Sequence, residues 1–284
     1  MRQGSAPTPC FAAAKASEGR SAELRLGSHR VSSVTEAPAY DQLGRGYGDV
    51  RRPDPRIAAR IEAALGDART VLNVGAGTGS YEPVDRDVTA VEPSAEMIAQ
   101  RPQGAAPVIQ ASAEDLPFPD DSFDAAMAVL TVHHWADLGA GLREVRRVTR
   151  QRILIVAFDP GALANLWITR DYFPGMLELK RQSPVTSTEL ATMLSTARSI
   201  PIPVPRDCTD HFFAALWARP EMLFDDAVVR PMWVWQSISE TARREGRRRL
   251  AADLKSGAWD ESYGYLREKQ DLDVGLRLVV SELG

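Results

Sequence analysis

The chain has 284 residues, 34 Lys and Arg against 38 Asp and Glu for a formal net charge of -4, and 44% hydrophobic residues. That length and apolar content allow one large α/β domain with an added cap, and the acidic balance excludes a phosphate-tracking surface and with it a nucleic-acid partner. Two cysteines, Cys10 and Cys208, cannot build a disulfide framework or a zinc cluster, and no run reaches the roughly 18 apolar residues of a membrane span. No metal, no membrane association and a cytoplasmic location are therefore expected.

Residues 1–35 mix Ala, Ser, Gly, Arg and Pro without apolar periodicity and are expected to form a disordered tail. From there Asp54 as cap, Pro55 at the first helical position, Ile57, Ile61 and Leu65 on one face and Gly66 as stop predict a helix. The runs TVLNVGAG, DVTAVEP, PVIQAS, FDAAMAVL and RILIVAF read as five buried strands, and Leu138, Leu142, Val145 and Val148 mark an amphipathic helix between the last two. Strands alternating with helices predict a parallel, doubly wound sheet.

After Asp159 the aromatic-rich GALANLWITRDYFPGM suggests a lid, and Thr186 with Glu189 a capping box that opens a helix. IPIPVP reads as a strand confined by its prolines to an edge or a bend. A long, mostly helical stretch from about Phe212 to Leu254 follows, and GLRLVV reads as a closing strand. Arg243, Arg244, Arg247, Arg248 and Arg249, interleaved with acids, read as a solvated helix face. Residues 36–160 should thus form the ligand-binding core, and 161–284 the remainder of the sheet with substrate-binding cap insertions.

Gly75, Gly77 and Gly79 directly follow the first strand, where a chain without side chains can turn sharply and approach a ligand. Glu92 ends the second strand beside them, where a carboxylate can accept both hydroxyl protons of a ribose; its alternative role is a helix cap. At the end of the third strand Glu114 could hold an adenine amino group and Leu116 pack on its face. The three features converge on one adenosine. A dinucleotide would share the glycines and the acid, but its fingerprint asks for Gly or Ala where Ser80 stands and an acid about 20 residues beyond the glycines. Glu92 follows Gly79 by only 13.

VLNVGAGTGS, VTAVEPSAEMI, ASAEDLPFPDDSFDAAMAVLTVHHWAD and LREVRRVTRQRILIV resemble successive motifs of the class I S-adenosylmethionine-dependent methyltransferases, in particular the branch with the ubiquinone and menaquinone biosynthesis enzymes. The resemblance implies a Rossmann-like seven-stranded sheet, mostly parallel, with GLRLVV antiparallel beside the fifth strand and a helical cap insertion. It implies S-adenosylmethionine as cofactor, with Gly75, Ala76, Gly77 and Gly79 around the methionine portion and Glu92, Pro93 and Met97 at the ribose. Ala113, Glu114, Asp115 and Leu116 would surround the adenine, and Val129, Leu130 and His134 border the methyl donor. Tyr40 and Tyr47 would fold over the sulfonium. The short interval from Gly79 to Glu92 departs from the family and implies a truncated first helix.

Methyl transfer to a small-molecule acceptor would need few catalytic groups. His134 is the first candidate for a base, ahead of His133 and His211, with helix capping or loop support as the alternative role. Trp135, Asp171, Tyr172, Asp207 and His211 are candidate substrate contacts. A homodimer is left open. The competing reading keeps fold and cofactor in a non-methylating catalyst, such as a cyclase, or a ligand sensor.

Overall fold

The computed structural model describes residues 51–176, 185–195 and 197–283. The tail expected for 1–35, Cys10, Tyr40 and Tyr47 lie outside the described residues. Helix α1 (Pro55–Leu65) begins where the Asp54 side chain accepts from the Arg56 amide at 3.0 Å and ends at Gly66, with Ile57, Ile61 and Leu65 buried. Strands β1 (Thr70–Val74), β2 (Asp87–Val91), β3 (Val108–Ile109), β4 (Phe123–Val129) and β5 (Thr149–Phe158) pair in parallel. Helix α2 (Ala95–Ala99) follows β2, and α3 (Leu138–Val148) lies between β4 and β5. Only Val108 and Ile109 of PVIQAS pair, at the sheet's edge, and the chain then turns across the ends of the strands.

Beyond β5, α4 (Pro160–Asn165) leads into a π-helical turn (Ile168–Tyr172), and α5 (Ser187–Met193) opens with the Thr186–Glu189 capping box. Strand β6 (Ala197–Pro201) starts before IPIPVP and forms the other edge of the sheet, its proline at the end, where no ladder donor is lost. A two-stranded ladder joins β7 (Val204–Pro205) to β8 (Asp271–Leu272), and β9 (Leu276–Glu282) runs antiparallel between β5 and β6. The seven-stranded order is β3-β2-β1-β4-β5-β9-β6.

Alternate side chains of the strands pack on opposite faces. Val71, Ala125, Met127, Leu154 and Val156 meet α1 on one side. Leu72, Val74, Ala126, Ile153 and Ile155 meet Leu142 and Val145 of α3 and Leu190 of α5 on the other. The aromatic segment after α4 is no lid: Trp167, Tyr172 and Phe173 are buried in the first of these cores, and the Trp167 indole donates to the Trp217 carbonyl at 2.7 Å. Burying rings of roughly 150–250 Å² each outweighs what an exposed flap would gain.

The helical stretch from Phe212 is broken rather than continuous. It contains 3-10 turns at Phe213–Leu216 and Pro220–Phe224, the short helices α6 (Asp226–Val229) and α7 (Trp233–Gln236), and the long α8 (Glu240–Ser256), followed by α9 (Ala258–Tyr263). Pro220 and Pro231 interrupt the backbone ladder, and Asp225 and Ser239 cap new starts. The arginine run of α8 is only partly a solvated face: Arg243, Arg247 and Arg249 reach inward to the carbonyls of Trp235, Leu223 and Tyr172, while Arg244 and Arg248 pair with Glu240 and Glu245. Among the described residues no helix is long and apolar enough to cross a membrane.

Helix α8 reaches this packing because Gly246 has no side chain. A Cβ there would lie 2.3 Å from Phe173 Cε1 and 2.6 Å from the Tyr172 carbonyl oxygen. Gly246→Ala is expected to destabilise the fold by about 1–3 kcal/mol, read as a lowered denaturant midpoint. An unchanged midpoint would mean that the helix can withdraw from the core freely.

Candidate active site

At the carboxyl ends of β1, β2, β3 and β4 lies a cleft of about 240 Å³. A single water needs only roughly 10–15 Å³, so the space is on the scale of an organic ligand. Its floor is the glycine turn. The amides of Gly75 and Ala76 donate to the Val91 carbonyl at 2.8 and 3.0 Å, tying the turn to the end of β2. Gly75 takes φ 68° and passes so close to Thr131 that a Cβ would lie 2.1 Å from its Oγ1.

Glu92 is 7% exposed, and both its oxygens are held by backbone: Oε2 accepts from Gly77 N at 2.7 Å and Oε1 from Ser94 N at 2.9 Å. The helix-cap role goes instead to the Ser94 hydroxyl, which accepts from Met97 N. A carboxylate has about four lone-pair sites, so acceptor capacity remains for a ligand. Burial pushes the Glu92 carboxyl above its ordinary range, opposed by the two amides and by the charges of His134 and Arg101.

Behind the turn, Asn73 donates to Glu82 at 3.0 Å, and Arg101 grips both Glu82 oxygens at 2.8 Å and reaches the Gly77 carbonyl at 3.3 Å. Residues 75–86, all described, contain turns and no helix, so this largely buried ion pair braces the loop where a helix would otherwise follow. The missing helix removes the N-terminal anion site that a dinucleotide pyrophosphate requires.

On the far side, Leu130 takes φ 55° and donates its amide to the Val156 carbonyl at 2.8 Å, turning the chain into the 3-10 segment Val132–His134. His134 lines the cleft; its ring lies 3.9 Å from that of His133 and meets the Trp233 ring edge-on at 5.7 Å. Glu114 also lines the cleft and accepts from the Asp137 amide, just beyond His134, at 3.2 Å.

The cleft brings together Gly75, Ala76, Gly77, Glu92, Pro93, Met97, Ala113, Glu114, Val129, Leu130, His134 and Trp135. It does not bring in the other predicted residues. Gly79 faces the Glu82–Arg101 pair, Asp115 is in an exposed turn, and Leu116 is buried in the second core. His133 stands behind His134. Asp171 and Tyr172 are consumed inside the cap, Asp171 by Arg170 and Tyr263, Tyr172 by Asp253. Asp207 pairs with Arg56 near solvent, and His211 is half-buried outside the lining, where burial lowers its pKa. Asp171 and Tyr172 follow the cap's own packing, which polar residue type alone does not reveal.

Sequence reasoning missed Arg51, Asn73, Thr78, Ser94, Ser112 and Thr131 as lining residues. Thr78, Ser94 and Ser112 were findable as neighbours of the motifs. Arg51 was not: it reaches the wall through the cap, where Asp210 accepts from its Nε and Nη2 and from the Tyr81 hydroxyl at 2.8 Å.

The lining fits S-adenosylmethionine. The bare glycine turn leaves room for backbone contact with a ligand, and the buried Glu92 carboxylate presents acceptors. Among the described residues the buried indole nitrogen of Trp135 has no hydrogen-bond acceptor within the protein. A profile of the methyltransferase domain matches residues 72–156, which carry most of this lining. A solved structure from Anabaena variabilis, a candidate methyltransferase from an antibiotic biosynthesis pathway, is 30% identical with TM-score 0.77 over 82% of this chain and 99% of that one. The chain belongs to the class I S-adenosylmethionine-dependent methyltransferases. A malonyl-[acyl-carrier protein] O-methyltransferase of Pseudescherichia vulneris is 34% identical over 42% of this chain and 51% of its own length. A demethylmenaquinone methyltransferase of Corynebacterium urealyticum is 32% identical over 40% and 54%. The chain thus spans about half the length of the curated relatives it matches.

Proposed function

We propose that the chain transfers the methyl group of S-adenosylmethionine to an oxygen, carbon or nitrogen of a small organic acceptor, with residues 36–160 as the cofactor half and 161–284 as the acceptor half. The observation that carries this reading is the buried Glu92 carboxylate, fixed by two backbone amides beside a glycine turn that no helix follows. S-adenosylmethionine, when bound, supplies a methyl group already activated on a sulfonium. Gly75, Ala76 and Gly77 hold its amino-acid portion, Glu92 accepts from the ribose hydroxyls, and Ala113 with Glu114 receives the adenine. Val129 and Leu130 exclude water near the reacting centre, and His134 takes the proton that an acceptor hydroxyl or enol must lose.

Calorimetric titration with S-adenosylmethionine, S-adenosylhomocysteine and NAD tests the premise. Binding of the first two alone supports it; binding of NAD alone overturns it. Turnover against a panel of phenolic, enolic and amine acceptors then separates methyl transfer from a non-methylating use of the same site.

Glu92→Ala is expected to weaken S-adenosylhomocysteine binding by about 1.5–3 kcal/mol, roughly 10- to 150-fold, as a charge-assisted hydrogen bond is lost. Burial raises the Glu92 carboxyl above the ordinary carboxylate range. Its own contribution to stability is therefore present below the ordinary value and lost as pH rises through the raised one. Affinity runs the other way, because the ribose needs an acceptor: it should fall as pH drops through the raised value, and Glu92→Ala should abolish that dependence. An affinity insensitive to the substitution would remove Glu92 from the ribose.

A further inference from the structure

The cleft has two chemically different ends. Ala113 of the lining belongs to the core on one face of the sheet, and Tyr81 to the core on the other. The end with Glu92 and Glu114 is acidic and suits hydroxyl and amino donors. Among the described residues lining the cleft, the one permanent positive charge is the guanidinium of Arg51, which shares the Asp210 carboxylate with Tyr81. S-adenosylmethionine differs from a simple nucleoside by a tail with a carboxylate, and a carboxylate out of bulk water needs a cationic or multiple-donor partner.

Arg51 is held for such a role from an unexpected place. Asp210 belongs to the segment after β7, is fully buried, and accepts from Arg51 Nε and Nη2 in a forked pairing. The same carboxylate accepts from Tyr81 Oη at 2.8 Å, and Arg51 and Asp210 also form a backbone bridge. Tyr81 sits on the ligand loop itself with φ 65°, a conformation costing a non-glycine residue about 1–2 kcal/mol that surrounding contacts must offset. Its hydroxyl lies 3.4 Å from the Asp54 amide, and Asp54 is itself tied to the Thr209 amide at 3.1 Å. One buried cap carboxylate thus fixes both the cation at the cleft wall and the strained residue of the glycine loop.

We propose that Arg51 receives the carboxylate of the cofactor's amino-acid tail and that Asp210 is the positioning residue that sets it there. The proposal rests on the S-adenosylmethionine reading above. It makes the cap part of the cofactor site as well as of the acceptor site, so that disturbing the cap weakens cofactor binding through its tail alone.

The test compares S-adenosylhomocysteine, which carries the tail, with 5′-methylthioadenosine, which lacks it, by calorimetry on the full chain. Arg51→Gln should weaken S-adenosylhomocysteine about tenfold or more while 5′-methylthioadenosine stays within about twofold, since only the tail loses its charge partner. Asp210→Asn should act in the same selective sense. Should Asp210→Asn fail to fold, Tyr81→Phe removes one of its bonds and keeps the ring, with a smaller loss confined to S-adenosylhomocysteine. Equal losses for both ligands would reduce the cluster to a structural clasp, and unchanged affinities, or equal binding of the two ligands by the unsubstituted protein, would also overturn the proposal. An unsubstituted protein that binds neither ligand would overturn the cofactor reading, and this inference with it.

Discussion

Replacing His134 by alanine is expected to lower turnover by about 10²- to 10⁴-fold with an acceptor that must shed a proton, the usual contribution of a positioned base. Like Glu92, the imidazole lines the cleft; it sits on the 3-10 segment after β4. Its ring is confined between His133 and the edge of Trp233, so it enters the cleft in a restricted orientation. Affinity for S-adenosylhomocysteine should change little, which separates a base from a residue that supports the cofactor loop. Single-turnover rates with paired acceptors, one a phenol and one a thiolate already deprotonated at the working pH, provide the check. A drop of the same size for both would assign His134 to positioning, and an undiminished rate with the phenol would place the base elsewhere.

Gly75→Ala is expected to destabilise the protein by about 2–5 kcal/mol, combining about 1–2 kcal/mol for a left-handed alanine with about 1–3 kcal/mol of overpacking. The added Cβ would lie 2.1 Å from Thr131 Oγ1 and 2.9 Å from Thr131 Cβ. Because the second contact is to Cβ, no rotation of the threonine relieves it. Either the glycine turn or the segment after β4 must withdraw, and both line the cleft. Cofactor affinity should therefore fall together with the thermal midpoint. A stable variant with intact affinity would mean that the two loops are not in mutual contact in solution.

Much of this arrangement was legible because it depends on neighbours in sequence. Asp54, Pro55 and Gly66 delimit α1, Thr186 and Glu189 cap α5, and buried runs such as TVLNV and ILIV are sheet core wherever they are placed. The glycines, Glu92, Glu114 and His134 lie at or within a few residues of the ends of strands that pair in parallel, and parallel pairing carries all such ends to the same edge. The short interval between Gly79 and Glu92 forecast the lost helix. It carried no hint of the Glu82–Arg101 pair that braces the loop instead, because Arg101 comes from beyond β2.

The partners of the polar residues in the cap were not legible, for a related physical reason. Asp171 and Tyr172 have the polarity of substrate contacts, but polar side chains within a packed cap must first satisfy one another, and their partners Tyr263 and Asp253 lie far away in sequence. The sequence by itself determined the sheet, the helix starts and the row of cleft-lining residues along its edge, since each follows from local periodicity, capping and the handedness of parallel connections. Only the tertiary structure decided which polar groups reach the cleft. Arg51, Tyr81 and Asp210 meet from three distant segments, and that meeting is fixed by packing of the cap on the sheet rather than by any pattern within a segment.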